Sequence, residues 1–316
     1  MTHISIVSSL YNSEKYTEHF IERTEKSLRN LNINDYEIIL VDDGSPDNSY
    51  EIACEIAKKN KKLKLIKLSR NYGQPYALTA GLEYSSGSKI FLIDSDLEED
   101  PEWLEIFYKE LDTSKYDCVY GLQKKRKGNL FERISGRIFY DILNFFSDIK
   151  ILPSPVTSRI MTRRYLNSLL KFSERNLSIG MLCALNGYTQ KGIFVNKKEL
   201  SPSNYSPLKK LRMGISTILF MSSKPLEIII YSGLIICILS IVAVFYLLYL
   251  YFMRNILVPG WASIFISLVF FSGINLFFMG VIGLYIKTIF SEVKNRPRYI
   301  IQEIINERSN ERNNFN

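Results

Sequence analysis

Residues 36–45 read Tyr36-Glu37-Ile38-Ile39-Leu40-Val41-Asp42-Asp43-Gly44-Ser45: an apolar, β-branched run that stops on two acids and a turn. Residues 89–96, Lys89-Ile90-Phe91-Leu92-Ile93-Asp94-Ser95-Asp96, repeat the design. A short apolar run bounded by turn residues suits a strand buried on both faces. Comparable runs occur at residues 4–8, 63–68 and 117–121. Between the first two, Tyr16, Phe20, Thr24, Leu28 and Leu31 recur at helical spacing behind the capping candidates Asn12 and Ser13. Residues 48–59, 74–84 and 101–111 carry the same period, the last opening on Pro101. The alternation predicts an α/β domain around a Rossmann-like parallel sheet.

In such sheets ligands bind beyond the carboxyl ends of the strands, where both acid clusters fall. Turn acids also serve as plain caps, and for either cluster alone the two readings stand level. Together, and without a GxGxxG or GxxxxGK[ST] fingerprint, they point away from ordinary dinucleotide or P-loop binding. Asp94 and Asp96, one residue apart, can share a hard divalent cation and leave positions open for diphosphate oxygens. Asp43 can accept from a base or ribose without metal.

The 316 residues suffice for one catalytic domain and an appendage. Their 40 Lys+Arg against 32 Asp+Glu give a net +8. The basic residues gather at 124–127, at Arg133 and Arg137, at 209–212 and at Lys287, Lys294, Arg296 and Arg298, mostly beside apolar stretches. Membrane and phosphate are the better partners, and nucleic acid is disfavoured. Cys54, Cys118, Cys183 and Cys237 show no CxxC spacing, which predicts reduced packing thiols. His3 and His19 have no triad partners in any motif. With no basic region ahead of the first strand, the N-terminal domain is expected in the cytoplasm.

Residues 228–252 and 261–286 contain no charged side chain, and about 20 apolar residues span a bilayer. Arg254 is the lone charge between them, whereas Lys209, Lys210, Arg212, Lys224 and the later basic group lie outside, so both flanks are expected to face the cytoplasm. Gly273 and Gly280 share a helix face where close helix packing is expected. Residues 128–149 and 207–225 read as amphipathic segments, the former either packed on the sheet or lying on the membrane. The resulting division is a catalytic domain at 1–206, a juxtamembrane segment at 207–227, a two-helix hairpin at 228–286 and a cytoplasmic tail at 287–316. A homo-oligomer is compatible with this plan.

The motifs SLYN-SE near the start, VDDGS at 41–45, SRNYG at 69–73, LTAGL at 78–82 and DSDLEEDPE at 94–102 resemble family 2 glycosyltransferases of the GT-A fold. VYG at 119–121, SRIMTR at 158–163 and KNRPRYIIQE at 294–303 extend the resemblance over nearly the whole chain. The likeness is greatest to bacterial polyprenyl-phosphate glycosyltransferases, relatives of dolichol-phosphate mannose synthase. It implies that Asp42, Asp43 and Tyr11 contact the nucleoside and that Arg70 and Gly73 lie in the nucleotide loop. It further implies that Asp94 and Asp96 hold Mg²⁺ or Mn²⁺ and that Arg159 and Arg163 sit near the acceptor phosphate. Ser9, Gln123, Thr157, Ser201 and Asn204 depart from the family pattern, mostly on the acceptor side. The activity this implies is inverting transfer of a hexose from a nucleotide diphosphate sugar, a UDP-sugar foremost, to undecaprenyl phosphate at the cytoplasmic leaflet of a bacterial inner membrane. Transfer to a hydroxyl of a lipid-linked saccharide or surface polymer is the alternative, and a non-catalytic nucleotide-sugar binder is a more distant one.

Overall fold

The computed structural model of the chain describes residues 2–113, 115–123, 144–145, 155–172, 174, 179–198, 222–254 and 260–306. The chain divides into two units, one made of Met1–Tyr140, Ile149–Asn204 and Arg296–Asn316, the other of Asp141–Asp148 and Tyr205–Asn295.

The first unit is built on strands β1 (Ile4–Leu10), β2 (Tyr36–Asp42), β3 (Leu63–Leu68), β4 (Lys89–Leu92), β5 (Cys118–Gln123), β6 (Pro155–Thr162), β7 (Gln190–Val195) and β8 (Ile301–Ile305). They form one sheet in the order β7-β5-β6-β4-β1-β2-β3-β8. The parallel set β4-β1-β2-β3 is the one expected, and all seven residues of β1 are buried, as a strand covered on both faces requires. Beyond it the sheet is mixed. β6 runs antiparallel between β4 and β5, β7 parallels β5, and β8 pairs antiparallel with β3. The expected parallel sheet is present, with antiparallel pairs added at both sides. β6 gives little apolar signal because Thr157, Ser158 and Arg159 interrupt it, although Ile160 and Met161 are wholly buried.

Helices α1 (Thr17–Asn30), α2 (Ser49–Lys59) and α4 (Trp103–Thr113) cover one face, and α3 (Gln74–Glu83), α5 (Arg163–Leu169) and α6 (Ile179–Leu185) cover the other. α1 buries Phe20, Ile21, Thr24 and Leu28, the stripe that its period foretold. Its expected caps act otherwise. The Ser13 carbonyl accepts from the Thr17 amide and hydroxyl, while the Ser13 hydroxyl turns to Ser95.

The stretch after the second apolar run, read from sequence as a tail, supplies β8. Tyr50 donates to Glu303, and the Asn306 amide donates to the carbonyls of Ala57, Asn60 and Leu63. Those side-chain clasps help to fix an edge strand of five residues whose Ile301, Ile304 and Ile305 pack against the core.

In the second unit, α7 (Lys224–Arg254) and α8 (Trp261–Val293) are helices of 31 and 33 residues. Within them Lys224–Ala243 and Ser267–Val293 have mean hydropathies of 2.5 and 2.0, long and apolar enough to cross a membrane. Neither window is buried in the chain, and Ile230, Ile264 and Leu276 are about two-thirds exposed. A core helix of a soluble protein would hide those side chains. Among the described residues, a Cβ placed on Gly273 or Gly280 would meet nothing within 4 Å. Most of the amphipathic stretches at 128–149 and 207–225 lies outside the described residues.

Candidate active site

Parallel pairing brings the carboxyl ends of β1, β2 and β4 to one edge of the sheet. Leu10 stands beside Asp42 and Val7 beside Leu92, so the chain leaves all three strands at the same end of the sheet. Tyr11, half exposed, follows β1 there.

Asp42 and Asp43 are both buried where β2 ends. Asp42 Oδ1 accepts from the Ser45 amide at 3.2 Å. Asp43 accepts from the backbone amides of Tyr72 and Gly73 at 2.7 and 2.8 Å, one on each carboxylate oxygen. Such charge-assisted bonds contribute about 1.5–3 kcal/mol each and fasten the loop ahead of α3 to β2. Burial is the largest influence on both carboxyls and raises their pKa, with the amide bonds opposing it. The loop needs its glycines. Gly44 has φ +68, and a Cβ on it would come within 2.7 Å of the Asn71 nitrogen. Gly73, at φ +103, turns the chain into α3. Arg70 is exposed on this loop, its guanidinium 4.6 Å from the Tyr72 ring.

Asp94 and Asp96 flank Ser95, whose hydroxyl donates to the Ser9 carbonyl at 2.7 Å and lies 3.2 Å from the Ser13 hydroxyl. The middle residue, between the two acids, is thus anchored to the neighbouring strand β1. Leu97 takes a left-handed φ of 58, which tightens the turn and lets Asp96 Oδ1 accept from the Glu98 amide at 3.0 Å. Asp94 Oδ1 accepts from Gln74 Nε2 at 2.8 Å, and Thr157 adds a side-chain hydrogen bond. Burial, followed by the charge of Glu99, pushes the Asp94 carboxyl up to about 8, against the pull of Lys197.

Glu99 is wholly buried and accepts from the Thr157 amide and from the Ser158 amide and hydroxyl. Its role is to hold β6 against the acidic turn. Among the described residues no group of three or more metal-ligating side chains occurs, and the Asp94–Asp96 turn presents two carboxylates. Two hard oxygen donors with open positions fit Mg²⁺ or Mn²⁺, which keep several sites for water and phosphate.

The two arginines assigned to the acceptor are not brought together. Arg159 pairs in register with Leu92, near the acidic edge, and is 5% exposed. Its guanidinium donates to the carbonyls of Val156 and Thr157. Arg163 lies just past the Thr162–Lys89 pair, at the opposite end of β4, where it donates to the Gly87 carbonyl. Six residues of strand advance separate that point from Asp94, or about 20 Å. Sequence reasoning missed Gln74, which only the docking of α3 brings to Asp94, and Lys197, which follows the unforeseen β7.

A sheet with this parallel acidic edge, an Asp-x-Asp after β4 and a glycine-turned loop before α3 defines the GT-A class of sugar-transferring folds. The family described as Glycosyl transferase family 2 matches residues 5–170. A Mycobacterium tuberculosis protein bearing a glycosyltransferase name is 36% identical over 301 residues, covering 95% of this chain and 88% of its own length. The chain belongs to glycosyl transferase family 2. A Photorhabdus laumondii protein named undecaprenyl-phosphate 4-deoxy-4-formamido-L-arabinose transferase is 29% identical over 312 residues, 96% of this chain and 94% of that one. Glucosyl-3-phosphoglycerate synthase from Mycobacterium tuberculosis, solved with Mn²⁺, UDP and phosphoglyceric acid, aligns with TM-score 0.49 and 20% identity over 70% of this chain and 78% of that one.

Proposed function

We propose that this glycosyltransferase moves a hexose from a nucleoside diphosphate sugar, UDP-linked foremost, to undecaprenyl phosphate at the cytoplasmic face of a bacterial membrane, with inversion at the anomeric carbon. The observation that carries the membrane part is topological. β7 precedes the two apolar helices and β8 follows them, yet both strands belong to one sheet. Two spans return a chain to the side it left, so the sheet can be tethered at a lipid surface without being divided by it. Basic residues on both flanks make that side the cytoplasmic one. The full-length relative named for undecaprenyl phosphate supports a lipid phosphate as acceptor.

In this reading Asp94 and Asp96 ligate a divalent cation, with Gln74 fixing the first carboxylate. The cation, when bound, stabilises charge on the departing diphosphate. Tyr11, Asp42 and the loop clamped by Asp43 form the nucleoside side of the cleft, with Arg70 and Gly73 on that loop. The acceptor phosphate is already anionic and needs no base. That suits a site in which Glu99, the buried acid of the turn, is spent on Thr157 and Ser158. A sugar hydroxyl as acceptor would require a carboxylate placed for proton removal.

The test is purified enzyme with polyprenyl phosphate and a panel of radiolabelled UDP- and GDP-sugars. Label entering the organic phase as a glycosyl phospholipid is expected. Label appearing only on a lipid-linked saccharide would replace this reading with the hydroxyl one.

A further inference from the structure

Lys197 is two residues past β7, and its position is fixed by main chain on both sides. Val195 is buried in the sheet, and the next residue along, Lys198, donates its amide to the Glu98 carbonyl at 2.8 Å and its ammonium to Asp100. The Lys197 ammonium therefore enters the acidic turn. It lies 3.4 Å from Glu98, 3.5 Å from Glu99 and 3.9 Å from Asp94 Oδ2, with the side chain 24% exposed. An ammonium held this far from water is stable only against negative charge, and the cluster of acids is equally unstable without a cation.

We propose that Lys197 is the resident counter-ion of the acidic turn at Asp94–Glu99, holding its positive charge against Glu98, Glu99 and Asp94 until a divalent cation and the donor diphosphate arrive together. This deepens the metal reading above and rests on it. Lys197 and a metal ion draw on the same carboxylate, Asp94, and like charges at such separations repel strongly where water is scarce. A metal ion on its own has to displace the ammonium or bind beside it. The diphosphate of a donor brings negative charge that satisfies both cations at once. Lys197 thereby makes metal binding weak alone and tight with nucleotide, which favours a site loaded only when donor is present.

The experiment measures Mn²⁺ binding by electron paramagnetic resonance in full-length enzyme, with Mn²⁺ alone and with Mn²⁺ plus UDP or GDP. Lys197→Gln is expected to bind Mn²⁺ alone about tenfold more tightly than wild type and to show a smaller gain from nucleotide. Lys197→Arg, which keeps the charge, should stay near wild type. The melting temperature in chelator should fall in Lys197→Gln and rise more steeply with Mn²⁺. A Gln variant that folds only with Mn²⁺ present would show the same dependence. Equal or weaker Mn²⁺ binding by Lys197→Gln, beside a wild type that binds, overturns the counter-ion role alone. A wild type that binds no Mn²⁺ even with nucleotide overturns the metal reading and this inference with it.

Discussion

Gln74 Nε2 donates to Asp94 Oδ1 at 2.8 Å, joining the first residue of α3 to the first carboxylate of the Asp-x-Asp turn. The same helix start is held from the other side by Asp43 through the amides of Tyr72 and Gly73. One loop is thus fastened to the ends of both β2 and β4, and any change in it reaches both acidic turns together.

Gln74→Leu removes the donor and leaves an apolar group beside a buried carboxylate. Loss of a partner that orients a metal ligand typically lowers metal affinity about 10–100-fold. The variant is expected to fold, to need correspondingly more Mn²⁺ for half-maximal activity, and to retain its rate at saturating metal. Asp96→Asn, by contrast, should lose turnover at any Mn²⁺ concentration, and wild type should stop in excess chelator. Titrating activity with Mn²⁺ in the three proteins separates these outcomes.

The pH response of metal binding follows from Asp94, whose carboxyl burial and Glu99 push up to about 8. Near neutral pH it carries a proton that a metal ion has to displace. Mn²⁺ affinity should climb with pH, by up to about tenfold per unit, and level off above about 8. The metal-free fold responds in the opposite sense. A raised carboxyl pKa means that the folded state holds more protons than the unfolded one, so stability falls as pH rises from the ordinary carboxylate range to about 8. Mn²⁺ titrations and urea melts across that range check both signs, and a flat affinity profile would remove Asp94 from the ligand set.

Arg159 and Arg163 should part company on substitution. Arg163→Ala leaves the Gly87 carbonyl without its donor at the far end of β4 and is expected to cost about 1–3 kcal/mol of stability. Its Michaelis constant for polyprenyl phosphate should not change. Arg159→Lys should raise that constant with the donor constant little altered, because an ammonium cannot reproduce the guanidinium fork. An unchanged lipid constant in Arg159→Lys would move the acceptor phosphate elsewhere.

Gly260, just ahead of α8, should lie on the outer side of the membrane. A Gly260→Cys variant, with Cys54 and Cys237 replaced by serine, should react with an impermeant thiol reagent in intact spheroplasts. Reaction only after lysis would reverse the orientation drawn from Lys224, Lys287, Lys294 and Arg298.

The local signals were legible in the sequence because each is a short-range property. Strands β1 to β4 announced themselves as apolar runs, α1 to α4 by their period, the two long helices by uninterrupted apolar length, and Asp94 and Asp96 by standing one residue apart after a strand. Tertiary structure alone decided the rest. β6, with Arg159 in its middle, and β8, with a glutamate and a glutamine, are strands only because a neighbouring edge pairs with them and burial or side-chain clasps stabilise them. Their pairing directions then place Arg159 near the acidic edge and Arg163 about 20 Å from Asp94, a difference in setting that four residues of sequence spacing conceal. Gln74 and Lys197 reach Asp94 from positions 20 residues before it and 103 after it, through α3 and β7. Contacts made across a fold depend on how elements dock, and no periodicity within the chain records them.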